Sequence, residues 1–172
     1  MKDTILSALI VVVLGFLVVV GVRAADNAQV TATVTTQNIA MTLSQSTFDY
    51  GTMSSNTTST TVPLWAGAGI VATNTGNVNE DFDINSADTA AWTLATATST
   101  ADIYAHRFCN DTDNDCATPW TNYTAMTTSP GALDTGIATS GTVAFQLQIH
   151  TPNPSTIFTQ QSSSVTVTAS AS

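Results

Sequence analysis

Thr142-Val143-Ala144-Phe145-Gln146-Leu147-Gln148-Ile149 is the stretch on which the fold turns. Val143, Phe145, Leu147 and Ile149 alternate with Thr142, Ala144, Gln146 and Gln148. A period of two places the four apolar side chains on one face of a β-strand and the wetter set on the other. Burying each apolar side chain stabilises the fold by roughly 1.5–3 kcal/mol. A slip of one residue would expose all four, so the register is strongly specified. Pro152 and Pro154 follow closely and exclude a central strand beyond that point.

The same alternation recurs on both sides of this strand. Val165, Val167 and Ala169 alternate with Ser164, Thr166 and Thr168 near the C-terminus. Val30, Ala32 and Val34 alternate with Gln29, Thr31 and Thr33, and Ile39, Met41 and Leu43 continue the pattern. Shorter candidates occupy residues 61–64, 70–74, 79–84, 91–94, 103–108 and 120–123. Thr75-Gly76-Asn77, Ser129-Pro130-Gly131 and Ser140-Gly141 are turn signals. Residues 52–61 read as a Ser/Thr/Asn loop. No capped 3.6-residue apolar stripe follows residue 24. Eight or nine short strands at this spacing predict an all-β fold, a single antiparallel β-sandwich over residues 25–172. An Ig-like and a jelly-roll-like strand order give the same alternation. Thr makes up about one residue in five, as suits a pleated surface that favours β-branched side chains.

Ahead of the sandwich, Ile5 to Val22 is almost entirely apolar, after a polar start at Lys2. Val22-Arg23-Ala24 places small residues where a leader is cut. This is the layout of an export signal over residues 1–24. Its apolar run is also long enough to hold the chain in a bilayer as an uncleaved anchor helix through residues 5–22. Both versions export the rest of the chain and confine any membrane contact to this segment.

The chain has 172 residues, 12 acidic and 3 basic, with a net charge of −9. Loss of residues 1–24 would remove Lys2, Arg23 and Asp3, leaving 11 acidic residues, Arg107 as the one base, and a net charge of −10. A surface without cations excludes nucleic acid as a partner, since phosphate neutralisation needs Lys and Arg. An apolar fraction of 43% excludes a charge-rich disordered tail. With so little salt-bridge capacity, stability must come from apolar burial and backbone hydrogen bonds.

Phe48-Asp49-Tyr50-Gly51-Thr52, Ala72-Thr73-Asn74-Thr75-Gly76-Asn77, Trp92-Thr93-Leu94, the Val143–Ile149 strand with Pro152 behind it, and the terminal Val-Thr-Val-Thr occur in that order. The series resembles secreted immunoglobulin-like β-sandwich domains of microbial surfaces and filaments, over about residues 30–170. The resemblance implies the sandwich, an exported location and a surface or filament role. It brings no shared catalytic residues. Trp92-Thr93-Leu94 is also similar to the segment that names a class of cell-wall-binding domains, but the chain lacks a second copy of it.

Cys109 and Cys116 are the only cysteines. An even pair in an exported chain reads as a disulfide. Closing so small a ring stabilises by about 2.5 kcal/mol in the chain-entropy account. Zinc binding would need a second Cys pair or a nearby spaced His pair, and neither is present. Between the cysteines, Asp111, Asp113 and Asp115 alternate as in loops that converge on Ca²⁺. The Gly and the distal Glu of an EF-hand are missing. The competing reading is a solvated acidic turn.

Asn56-Thr57-Thr58, Asn110-Asp111-Thr112 and Asn122-Tyr123-Thr124 are glycosylation sequons. Asn110 adjoins the acidic loop, so a sugar there competes with a cation.

Glu80, Asp81, Asp83 and Asp88 form a second acidic group, with Asp81 and Asp83 on the strand face opposite Phe82 and Ile84. Their spacing meets the separation of a glycosidase pair, as does any acidic strand face. His106 shares a strand face with Tyr104 and Phe108, whereas His150 ends the strongest strand on its wet side. No G-x-S-x-G accompanies them. Trp65, Trp92 and Trp120 suit sandwich packing, with stacking on sugars as the other use of an exposed aromatic.

No constellation points to catalysis, and the chain reads as a non-enzymatic extracellular structural subunit. Residues 25–36, once released, are placed to pair with a sheet edge of the next copy and build a homopolymer. Pairing within their own domain is the competing placement. The alternative function is a Ca²⁺-dependent adhesion or glycan-binding module built on the 109–116 loop.

Overall fold

A computed structural model describes residues 29–61, 69–98, 100–112, 116 and 122–172. Residues 1–24, read as an export signal, Trp65, Trp120, Asp113, Asp115 and all but the first residue of the candidate strand at 61–64 lie outside these residues. The chain divides into two units, residues 1–35 and residues 36–172.

The described residues form ten strands and no helix. They are β1 (Met41–Leu43), β2 (Thr58–Thr60), β3 (Ile70–Asn74), β4 (Glu80–Ser86), β5 (Thr93–Leu94), β6 (Ile103–Asn110), β7 (Thr124–Ala125), β8 (Gly131–Ile137), β9 (Thr142–His150) and β10 (Val165–Ala171). The larger sheet runs β1-β3-β9-β6-β5, with β2 also on β9 and β7 also on β6. The smaller sheet runs β10-β4-β8. Pairing is antiparallel except between β5 and β6, where Thr93 pairs with Ile103 and Leu94 with Tyr104 in parallel.

The strongest sequence signal becomes the centre of the larger sheet. β9 pairs with β3 on one side and β6 on the other, with Phe108 opposite Leu147 and Ala72 opposite Val143. β3, β4 and β9 supply Ile70, Ala72, Phe82, Ile84, Val143, Phe145 and Leu147 to one core shared by both sheets. Phe108, Met126, Leu133, Ile137 and Val167 complete it. On β4, Glu80, Phe82, Ile84 and Ser86 are buried in strict alternation with Asp81, Asp83 and Asn85. The two aspartates therefore stand on the outer face, as their spacing predicts.

Four expectations are corrected. Residues 52–61, read as a loop, contain β2, because β9 offers Thr58–Thr60 a backbone partner at His150–Gln148. Residues 29–40 carry the alternation of a strand yet form none, and Val30 and Val34 are 92% and 90% exposed. An alternating pattern becomes a strand only where a partner closes its backbone hydrogen bonds.

β8 lies between the turn signals at Ser129-Pro130-Gly131 and Ser140-Gly141, where the sequence predicts no strand. Its pairing with β4 shifts register twice, and Gly136 adopts φ +69°, so bulges blur the two-residue period.

The supposed wet face of β9 is buried at Gln146 and Gln148. At Gln146 the cause is Asp111 and Tyr123, whose side chains bond to both ends of its amide.

Candidate functional site

Cys109, near the end of β6, forms the disulfide with Cys116. Both are buried with Tyr123 in a small cluster of their own. β6 directs Cys109 to the face carrying Gln146, its cross-strand partner. The Tyr123 hydroxyl lies 3.1 Å from Gln146 Oε1 and 3.2 Å from the Cys116 carbonyl. Gln146 Nε2 donates to Asp111 Oδ2 at 3.1 Å. Cys116 and Asp111 are thus held to the sheet by a covalent bond and a side-chain relay. Burial raises the pKa of Tyr123, and the charge of Asp111 adds to the shift. The phenol stays a proton donor at neutral pH.

Of the three candidate cation ligands, the described residues contain Asp111 alone. They contain no group of three His, Cys, Asp or Glu side chains able to hold a metal. The sequon asparagines sit in three different settings. Asn56 is exposed, with Oδ1 3.2 Å from His150 Nε2. Asn122 is half-buried. Asn110 is only 8% exposed. Its Nδ2 donates to the Leu133 carbonyl at 3.2 Å and its Oδ1 accepts from Thr112 N at 3.0 Å. A sugar on Asn110 would have to displace the bond to Leu133.

Between the sheets lies a polar chain that spacing could not reveal. His106 is 4% exposed. Its Nε2 is 3.2 Å from the Tyr50 hydroxyl and its Nδ1 is 3.0 Å from Ser86 Oγ. Ser86 Oγ is 3.1 Å from Ser163 Oγ, which donates to the Ala87 carbonyl at 2.7 Å. The Tyr104 hydroxyl also donates to Ala87 O. One direction satisfies every proton: Tyr50 to His106, His106 to Ser86, Ser86 to Ser163, and Ser163 to the carbonyl. That order assigns the neutral Nδ1–H tautomer. Burial lowers the His106 pKa to about 4. It also raises that of Tyr50, with charge interactions from Tyr123 and Tyr104 adding to the effect. The neutral forms required by the chain are therefore the stable ones. Ser86 is fully buried, so a substrate cannot reach its hydroxyl in this conformation. The arrangement ties β4, β6 and the segments before β2 and β10 together.

The Thr73-Asn74-Thr75-Gly76-Asn77 motif does more than turn the chain. Asn74 Nδ2 donates to the Val78 and Ile137 carbonyls at 2.8 and 2.9 Å, and Asn74 Oδ1 accepts from Gly76 N at 2.8 Å. Asn77 grips the chain ahead of β1. Its Nδ2 donates to Thr36 O at 2.8 Å, its Oδ1 accepts from Asn38 N at 2.7 Å, and its backbone N donates to Asn38 O at 3.0 Å. Ala40 N donates to Glu80 Oε1 at 2.8 Å, and Glu80 is fully buried. A Cβ on Gly76 would stand 2.3 Å from both Asn38 O and Glu80 Oε1. Only glycine allows the close approach. The motif is a clasp that fixes the chain from Thr36 onward.

Three further sequence candidates separate in space. Trp92 is half-buried, its ring 6.2 Å from Tyr104. His150 is half-buried beside Asn56. Asp81 Oδ1 accepts from Gly136 N at 2.7 Å and from Ser172 Oγ at 2.5 Å, so it is engaged in holding strand ends. No family model matches the chain, and no curated protein or solved structure matches it significantly.

Proposed function

We propose that this chain is a non-catalytic extracellular structural protein, a self-assembling subunit of a surface filament or layer. The observation that carries the reading is the state of residues 29–35. They have the alternation of a strand, no strand partner in their own chain among the described residues, and two valines almost fully exposed. Backbone groups and apolar side chains in that state gain hydrogen bonds and burial by adding to the sheet of another copy. A head-to-tail contact of that kind propagates as a fibre.

Three features support the same reading. The buried disulfide fits an oxidising, extracellular compartment. The clasp at Asn77 gives the segment a fixed starting point. A net charge of −9 opposes random association, so assembly depends on a specific uncharged contact.

The test is electron microscopy of surface material from cells exporting the chain, with and without residues 25–35. Fibres or layers from the intact chain, lost on deletion, support the reading. Fibres that survive the deletion remove strand donation. A monomer under all conditions removes self-assembly.

A further inference from the structure

We infer that the acceptor of residues 29–35 is the outer edge of β10 in a second copy, which makes the smaller sheet four-stranded across the contact. The inference rests on the strand-donation reading above and names its receiving surface.

The edges of the two sheets differ in how far they are open. β8, at one edge of the smaller sheet, is closed to pairing. Leu133 O is taken by Asn110 Nδ2 and Ile137 O by Asn74 Nδ2, both from the opposite sheet. Gly136 N is taken by Asp81. Two register shifts and the left-handed Gly136 interrupt the strand further. A carboxylate, Asp134, stands on it as well. Bulges, charges and capped backbone groups are the devices by which sheet edges avoid pairing. The outer strands of the larger sheet, β1, β2, β5 and β7, are two or three residues long and offer few bonds.

β10 carries none of these protections. Its seven residues pair with β4 in unbroken register from Val165–Ser86 to Ala171–Glu80. Among the described residues, no strand pairs with its other side. Its sequence, Val165-Thr166-Val167-Thr168-Ala169-Ser170-Ala171, holds no charge, proline or glycine.

The donor matches it in length, charge and pattern. Gln29-Val30-Thr31-Ala32-Thr33-Val34-Thr35 is also seven residues without charge. At about 3.3 Å per residue the two strands span the same ~23 Å. On β10, Val165, Val167 and Ala169 pack on or into the core. Shifted by one residue from end-to-end overlap, so that residues 30–35 face six of the seven residues of β10, Val30, Ala32 and Val34 extend that apolar row, and Thr31, Thr33 and Thr35 extend the outer row of Thr166, Thr168 and Ser170. In a chain this acidic, two uncharged edges can meet without bringing carboxylates face to face.

The test is disulfide trapping in the exported full-length chain, using exposed positions so that folding is not at risk. Thr33→Cys is combined in turn with Thr166→Cys, Thr168→Cys and Ser170→Cys, which covers the neighbouring registers. Thr33→Cys with Thr135→Cys probes β8 as the control. A ladder of covalent multimers on non-reducing gels from at least one β10 pair, and none from the β8 pair, is the expected result. Polymers visible by microscopy without a β10 ladder would overturn the choice of edge and leave strand donation standing. Cross-linked monomers alone would show the segment closing on its own domain and overturn both. Absence of polymers and of cross-links would likewise overturn both.

Discussion

His106 Nδ1 lies 3.0 Å from Ser86 Oγ, across the space between the two sheets. His106 comes from the larger sheet and Ser86 from the last residue of β4 in the smaller one. With Tyr50 on the other ring nitrogen, the imidazole is enclosed as a neutral link. The fold therefore depends on His106 remaining uncharged.

Acid should weaken the protein in a defined window. The folded pKa of His106 is lowered to about 4, from an ordinary 6.5. The unfolded chain binds the proton first, so this contribution is complete above pH 6.5 and fades as pH falls toward 4. The loss approaches ~3 kcal/mol. Denaturant unfolding at pH 7.5 and pH 4.5 measures it. His106→Gln, which keeps a donor and an acceptor, should flatten the dependence across that window. An unchanged slope in the variant would assign the effect to other groups.

Removing the disulfide should loosen the outer face of β9. Cys109→Ala with Cys116→Ala should destabilise by about 2–3 kcal/mol. The Tyr123 hydroxyl, held between Gln146 and the Cys116 carbonyl, should exchange more freely with solvent. Thermal unfolding follows the first effect, and NMR exchange of the Tyr123 hydroxyl proton follows the second. Reducing agent added to the native protein should reproduce them.

Gly76→Ala should open the clasp. A methyl group 2.3 Å from Asn38 O and Glu80 Oε1 forces one or both to move, at about 1–3 kcal/mol. The amides of Asn38 and Ala40 should lose protection in hydrogen exchange while those of β9 keep theirs. Equal loss in both places would show that the clasp is not a separate unit.

Asn110→Ala should leave the buried Leu133 carbonyl without its donor. An unsatisfied buried acceptor costs about 1–3 kcal/mol. The variant also uncaps one position on the edge of β8, so it should aggregate more readily than the parent at equal concentration. Light scattering during unfolding separates that effect from lost stability. Mass analysis of the natural protein should find any sugar at Asn56 or Asn122 and none at Asn110, whose side chain is enclosed.

The sequence by itself determined the class of fold and most of the strands. Period-two alternation with strong apolar contrast, as at Val143, Phe145 and Leu147 or Phe82 and Ile84, specifies which side chains face the core whatever the strand order. Two cysteines behind a segment read as an export signal sufficed to predict the Cys109–Cys116 bond. Tertiary structure decided the rest, because it concerns partners distant along the chain. Whether Val30 to Val34 becomes a strand depends on a neighbour with free backbone groups, and alternation carries no information about one. β8 stayed hidden because glycine and bulges erase the period, although Asn74 and Asn110 hold it from the other sheet. Gln146 reads as wet by pattern and is buried because Asp111 and Tyr123, distant along the chain, bond to its amide. His106, Ser86, Ser163 and Tyr50 become one hydrogen-bonded chain only when two sheets bring together residues up to 113 positions apart. Local patterning sets which face of each strand is apolar. Long-range pairing sets which strand edges are closed and which are left open to another molecule.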